Sequence, residues 1–219
     1  MANGILIAVE GLDGSGLTTH SHLLVDKLNR RGIPSVYTKE PTDGPVGKVI
    51  REILAGNQVD HYLLALLFAS DRRWHYYHDP SLPGGGIEGA LRRGFIVVCD
   101  RYKYSSLAYQ GAFTDYGWVK EVNRSVPEAD MIVFIDTELA VRMSRIKMRG
   151  KREAYEYKER IEKIQEVFRR VLDDASKAGV HVHIVKGSEG GLPRPIEVVS
   201  SEIELGVLSF LKARGFLDD

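Results

Sequence analysis

Residues 5–19 read ILIAVEGLDGSGLTT, and this stretch decides the fold. Residues 5–9 form an unbroken apolar run. Glu10 and the glycine-rich segment Gly11-Leu12-Asp13-Gly14-Ser15-Gly16 follow. Residues 18–30 then carry helical spacing, with Leu24 and Leu28 one turn apart and Gly32 as a stop. Strand, glycine loop and helix in that order open an α/β nucleotide-binding domain. Against the pattern G-x-x-x-x-G-K-[ST], Gly11, Gly16 and Thr18 stand where they are required, and Leu17 replaces the lysine.

The glycines let the backbone wrap an anion with its N–H groups turned inward, and the following helix presents its N-terminus. Gly11, Asp13, Gly14, Ser15, Gly16, Leu17, Thr18 and Thr19 are therefore expected to hold the phosphates of a nucleotide. Thr18 is placed to ligate magnesium and Thr19 to hydrogen-bond the outer phosphates. A tight turn without a ligand is the alternative. A lysine at position 17 would follow the charge that migrates between the β and γ phosphates. Losing one charge-assisted contact costs about 1.5–3 kcal/mol, roughly one to two orders of magnitude in rate if felt in the transition state. Lys39, Arg101 and the arginines beyond residue 140 are the cations available to replace it.

Outward from this loop, residues 35–38, 95–99 (FIVVC), 131–135 and 180–185 are further strand candidates. Their continuous apolar character suits strands covered on both faces of a parallel sheet. Helices are expected over 46–54, 62–77, 87–93 and 205–213, and loops over 41–44, 80–86 and 187–195. Strands alternating with helices predict a five-stranded parallel sheet flanked by helices on both faces, a P-loop NTPase fold in one domain spanning 1–219.

Composition narrows the function. Lys plus Arg and Asp plus Glu each count 30 among 219 residues, and this balance argues against a nucleic-acid coat protein. Cys99 is the one cysteine, so neither an intrachain disulfide nor a cysteine zinc site is expected. No stretch approaches the ~18 apolar residues of a membrane span, and no secretory leader pattern is present. A cytoplasmic enzyme without membrane or nucleic-acid partners is expected.

Asp13, inside the loop, either orients an acceptor or caps the turn. Asp100 closes the strongest strand and Arg101 follows at once. At a strand's carboxyl end the pair suits a magnesium-bound water and a bidentate phosphate clamp; a structural Asp–Arg pair is the alternative. Phe68 and Arg72 are four apart and share a helix face, either as a stacking ring with a base- or phosphate-binding guanidinium, or as core and solvated residues. Arg142, Arg145, Arg149 and Arg152 form a basic stripe if their helix persists to 152, either a lid over ATP or a solvated face.

Four segments carry a resemblance: EGLDGSGLTT at 10–19, KEPTDGPVGKVIR at 39–51, LLFASDRR at 66–73 and DRYKYSSLAYQG at 100–111. The last is the most specific. Through most of its length the chain resembles the thymidylate kinases of the nucleoside-monophosphate kinase group. The resemblance implies transfer of phosphate from ATP-magnesium to dTMP, giving dTDP and ADP. It also implies a flexible arginine-bearing lid, here about 142–156, and a homodimer. Asp13 matches the loop acid that touches the acceptor, Arg51 and Arg101 the arginines on its phosphate, Phe68 the ring stacked on thymine, and Arg72 the arginine near the base oxygen. Asp100 matches the acid of the DR motif, and Glu40, Tyr109 and Gln110 fall among the substrate-side residues. The chain departs from the family at Leu17, at Lys39 in place of an arginine, and in its several lid arginines, of which Arg145 and Arg149 are the central pair expected to act in catalysis. Leu17 keeps two other readings open: a kinase of this fold acting on another nucleotide or a protein hydroxyl, and a non-catalytic nucleotide-binding module.

Overall fold

The computed structural model describes residues 4–56, 60–148 and 155–217. Its centre is a sheet of β1 (Ile5–Glu10), β2 (Ser35–Lys39), β3 (Ile96–Asp100), β4 (Met131–Asp136) and β5 (His181–Lys186), in the order β2-β3-β1-β4-β5 with every pairing parallel. This is the five-stranded arrangement expected from the apolar runs. Alternate residues feed opposite faces, as the two-residue period of a strand demands. Leu6, Ala8, Val97, Cys99, Ile132 and Phe134 enter one core; Ile7, Val9, Ile96, Val98, Val133 and Ile135 enter the other.

Two helices cover the second core: α1 (Leu17–Arg30) through Leu24 and Leu28, and the C-terminal helix, Ile196–Ala213, through Val199, Ile203 and Val207. The first core is covered by α3 (His61–His78), α4 (Gly86–Arg92), α5 (Lys103–Tyr109), α6 (Tyr116–Val122) and α8 (Tyr155–Lys177). The helix α2 (Pro45–Ala55) packs on α3, and α7 (Leu139–Met148) follows β4.

Sequence spacing placed the last helix at 205–213, whereas it begins nine residues earlier, at Ile196. Polar residues hid its first turns. Ser200 is buried, and Glu204 is bound by Lys27 at 3.0 Å and Arg31 at 2.8 Å, which ties α1 to this helix. The expected loop at 187–195 carries a small antiparallel pair, β6 (Ser188–Glu189) with β7 (Leu192–Pro193), so the C-terminal helix is α9.

The register sets the site. Val9, Asp100 and Lys39 lie level across β1, β3 and β2. Gly11, Arg101 and Glu40 therefore leave the sheet along one edge. After β1 the chain runs to one side of it, and later crosses to β4 on the other. A crevice opens at the carboxyl ends of strands where the order reverses in this way.

Candidate active site

The glycine loop lies in that crevice. Gly14 and Gly16 hold φ of 86° and 94°, the left-handed region that side chains disfavour. A Cβ on Gly14 would also come within 3.0 Å of the Arg142 carbonyl oxygen, so glycine is what lets α7 press against the loop. Gly16 is the residue before α1, and its loop lines a cavity of about 450 Å³ with Thr18, Thr19, Lys39, Arg51 and Asp100.

Leu17 lies in this segment with its side chain 6% exposed, inside the core that holds Ile7, Val9 and Ile135. A Cβ on Gly11 would meet its Cδ2 at 3.1 Å. The side chain thus packs beneath the loop, although Leu17 still borders the cavity. A charged group reaches the loop from α7, where Arg145 Nη1 donates to the Gly14 carbonyl at 2.8 Å. Beside it His20 is buried, and burial first, then Arg145, lowers its pKa. Arg142, one turn earlier, is fully buried; its Nε donates to Thr137 O at 2.8 Å and its Nη2 to Gln165 Oε1 at 3.3 Å. The structure therefore separates Arg142 from Arg145, while Arg149 and Arg152 lie outside the described residues.

Thr18 Oγ1 donates to Asp100 Oδ2 at 2.6 Å, and Tyr37 approaches the same oxygen at 3.4 Å. A hydroxyl and a carboxylate beside a phosphate loop are the hard oxygen donors that suit magnesium, which takes one or two protein ligands and completes its shell with water and phosphate oxygens. The two residues fit that ion. Glu40, His75 and Cys99 also bring ligand atoms within 4.8 Å of one another. Their contacts go to protein groups: Glu40 faces Arg72, His75 bridges Thr38 and Glu40, and Cys99 Sγ donates to Arg101 O. That cluster is a hydrogen-bond network.

A second cavity, about 340 Å³, opens beyond the loop. Phe68, Arg72, Tyr109 and Gln110 form its walls. Arg72 is 1% exposed: Nε and Nη2 contact Glu40 Oε2 at 2.8 and 2.6 Å, Nη2 reaches Ser106 at 3.0 Å, and Nη1 contacts Asn123. Gln110 is buried with its amide oxygen unpartnered among the described residues. Phe68 is half-buried and offers ring surface.

Asp13, Glu40, Pro41, Leu54 and Arg101 line both cavities, so the two are one cleft. At the junction Arg101 Nη2 donates to Asp13 Oδ1 at 2.8 Å, and its Nη1 donates to Gly11 O and Ser105 Oγ, both at 3.0 Å. The Tyr109 ring lies 5.2 Å from the guanidinium, and the Tyr109 hydroxyl accepts from Asp13 N at 3.0 Å. Arg51 is held by the Thr42 carbonyl at 2.7 Å and lines the loop-side cavity.

Sequence reading passed over Glu10, Ser105, Ser106, His75 and Asn123. Glu10 is fully buried at the end of β1, and burial raises its pKa to about 7. Its one visible signal was a carboxylate closing an apolar run.

Comparison with known proteins gives a consistent picture. A family model described as Thymidylate kinase matches residues 9–203. A protein of Aeropyrum pernix named as a thymidylate kinase is 45% identical over 199 residues, covering 90% of this chain and 93% of its own. One of Pyrobaculum aerophilum, similarly named, is 39% identical over 202 residues, covering 91% and 94%. Among solved structures, a thymidylate kinase of Ehrlichia chaffeensis superposes with TM-score 0.68 at 25% identity, covering 95% of this chain and 99% of that one. One from Candida albicans has TM-score 0.71 at 23% identity, covering 100% and 97%, a likeness of fold.

Proposed function

The chain belongs to the thymidylate kinase family, and from that premise we propose that it transfers the γ-phosphoryl group of ATP to thymidine monophosphate. The observation that carries this reading is the Asp13–Arg101 pair at the junction of a loop-lined and an aromatic-lined cavity. ATP occupies the glycine-loop end and the monophosphate the other. Phe68 stacks on the base, Arg72 and Gln110 face its edge, and Tyr109 lies by the sugar. Glu40 fixes Arg72 in place.

Arg101 binds the acceptor phosphate. Its Nη1 is anchored on Gly11 O and Ser105, while Nη2 is shared with a half-exposed carboxylate that an incoming phosphate can displace. Arg51 approaches the same phosphate from α2. An acceptor phosphate oxygen then attacks the γ-phosphorus, the bond to the β-phosphate oxygen breaks, and ADP leaves with that electron pair. Asp13 orients the acceptor. Thr18 and Asp100 would hold magnesium, which would neutralise charge at the transferring phosphates. Backbone N–H groups of the loop stabilise the transferred group, and Arg145 from the described part of the lid at about 142–156 takes over the charge that Leu17 lacks.

A cytoplasmic homodimer is part of the same reading. Val49 on α2 and Tyr62, Leu63 and Leu66 on α3 are 42–51% exposed and offer an apolar face on adjacent helices. Among the described residues no helix is long and apolar enough to cross a membrane. Light scattering at micromolar concentration tests the dimer, and a mass near 24.5 kDa would exclude it.

The test of function compares kcat/KM for dTMP, dUMP, dCMP and dGMP with ATP as donor. Preference for the thymine nucleotide is expected; equal values would overturn the base assignment. Arg101→Ala should raise the KM for dTMP by about tenfold or more, the scale of a lost charge-assisted contact.

A further inference from the structure

Arg101 is the one residue other than glycine with positive φ among the described residues, at 68°. L-residues hold this conformation only when their surroundings impose it, and such strain gathers at functional sites. Arg101 is accordingly pinned along its backbone: its N–H donates to Val9 O at 3.0 Å, and its carbonyl accepts from Cys99 Sγ at 2.9 Å. The turn it makes is closed by Glu10. This carboxylate accepts from Tyr102 N at 2.8 Å, from Ser105 N at 3.2 Å and from Ser105 Oγ at 2.6 Å.

We propose that Glu10 is a positioning residue for the acceptor-phosphate arginine, acting through the Ser105 hydroxyl. The inference rests on the assignment of Arg101 to the acceptor phosphate. With Glu10 ionised, as it is above the pKa of about 7 that burial gives it, the direction of the chain of hydrogen bonds is fixed, and the kinetics below are read at pH 8. A guanidinium only donates, so Ser105 Oγ accepts from Arg101 Nη1. The single hydroxyl hydrogen then points at Glu10 Oε2, which must accept it. The other carboxylate oxygen receives the two backbone N–H groups that shape the turn after Arg101. Glu10 thus fixes the backbone of the segment and the orientation of the hydroxyl that steadies the guanidinium, while Nη2 stays directed at Asp13 and the cleft.

Glutamine cannot reproduce this pattern. With its oxygen toward the two N–H groups, its NH2 faces Ser105 and leaves the hydroxyl hydrogen without an acceptor. In the flipped orientation, the NH2 faces the two N–H donors. Glu10→Gln keeps the shape of the side chain and breaks the polarity. Ser105→Ala removes the relay and leaves Glu10 intact.

The experiment measures kcat and the KM for dTMP and for ATP in Glu10→Gln, Ser105→Ala, the double variant and Arg101→Ala, each with a thermal melt. Each single clasp variant should raise the KM for dTMP by about tenfold or more and leave that for ATP within about twofold. The double variant should match the worse single, because both break one chain. A smaller rise for dTMP, an equal rise for both nucleotides, or effects that multiply in the double variant would overturn the proposal. If Glu10→Gln does not fold, Ser105→Ala decides alone by the same thresholds. If Arg101→Ala leaves the dTMP KM unchanged, the assignment of Arg101 fails. If Arg101→Ala raises it and the clasp variants do not, the clasp alone fails.

Discussion

The two ends of the cleft are built by different means. At the acceptor end, buried side chains hold one another: Arg72 meets Glu40, Ser106 and Asn123, His75 bridges Glu40 to Thr38, and Asp71 anchors Thr42. At the donor end the loop is a backbone device. Its leucine packs into the core, Ser15 Oγ and His20 Nδ1 have no partner among the described residues, and cations reach it from outside, Arg145 from α7 onto Gly14 O and Arg101 onto Gly11 O. The acceptor end is therefore organised before its ligand arrives. In the proposed reading the donor end relies on groups brought to it, such as Arg145, where the loop lacks its lysine.

That contrast can be broken most directly at Arg72. Removing one partner of a buried ion pair leaves the other unpaired, at a cost of about 3–5 kcal/mol. Arg72→Ala should therefore lower the midpoint of denaturant unfolding far more than any donor-end substitution. A loss under about 1 kcal/mol, the scale of an exposed pair, would show that the acceptor network is not a structural unit.

A second effect follows from Glu10, whose pKa rises from 4.5 to about 7 on burial. Between those values the folded chain keeps a proton that the unfolded chain has released. Stability should therefore fall as pH rises through that window and level off above it. The fall is bounded at about 3 kcal/mol by the conversion of pKa to free energy. Unfolding titrations from pH 5 to 8 measure the slope, and Glu10→Gln should flatten it; the same slope in the variant would assign it to other groups.

At the donor end, Leu17→Lys sharpens the contrast. If the side chain belongs to the core, the substitution should cost about 2 kcal/mol of lost apolar burial, read by the same unfolding titrations. Unchanged stability with faster transfer would show that position 17 faces the phosphates after all. The smallest effect is expected at Arg145. Arg145→Ala should slow single-turnover transfer by about tenfold, near 1.4 kcal/mol, and leave dTMP binding unaltered. Full activity would remove Arg145 as the substitute for the lysine.

The strands of the sheet were legible because apolar runs and glycine loops are local signals, whereas α5, α6 and α8 carried no such signal and went unexpected. The segments 5–9, 95–99 and 131–135 each lie within an observed strand or extend it by one residue. The C-terminal helix was cut short because Glu204 looks solvated until α1 supplies Lys27 and Arg31. The same division runs through the site. Motif spacing marked Asp13, Thr18, Asp100 and Arg101 as candidates, since each stands at a loop or strand end that local sequence defines, and the structure brings all four to one crevice.

Tertiary structure alone decided where their neighbours point. Arg142 and Arg145 are three residues apart and alike in sequence, yet one is buried on Thr137 and Gln165 while the other reaches Gly14. Glu10 and Ser105 are 95 residues apart, and Arg101 and Asp13 are 88 apart. Periodicity reports which face a residue shares with its near neighbours. Which distant hydroxyl, carbonyl or guanidinium shares a hydrogen is fixed only when the packed sheet brings β1 against β3 and sets their ends level.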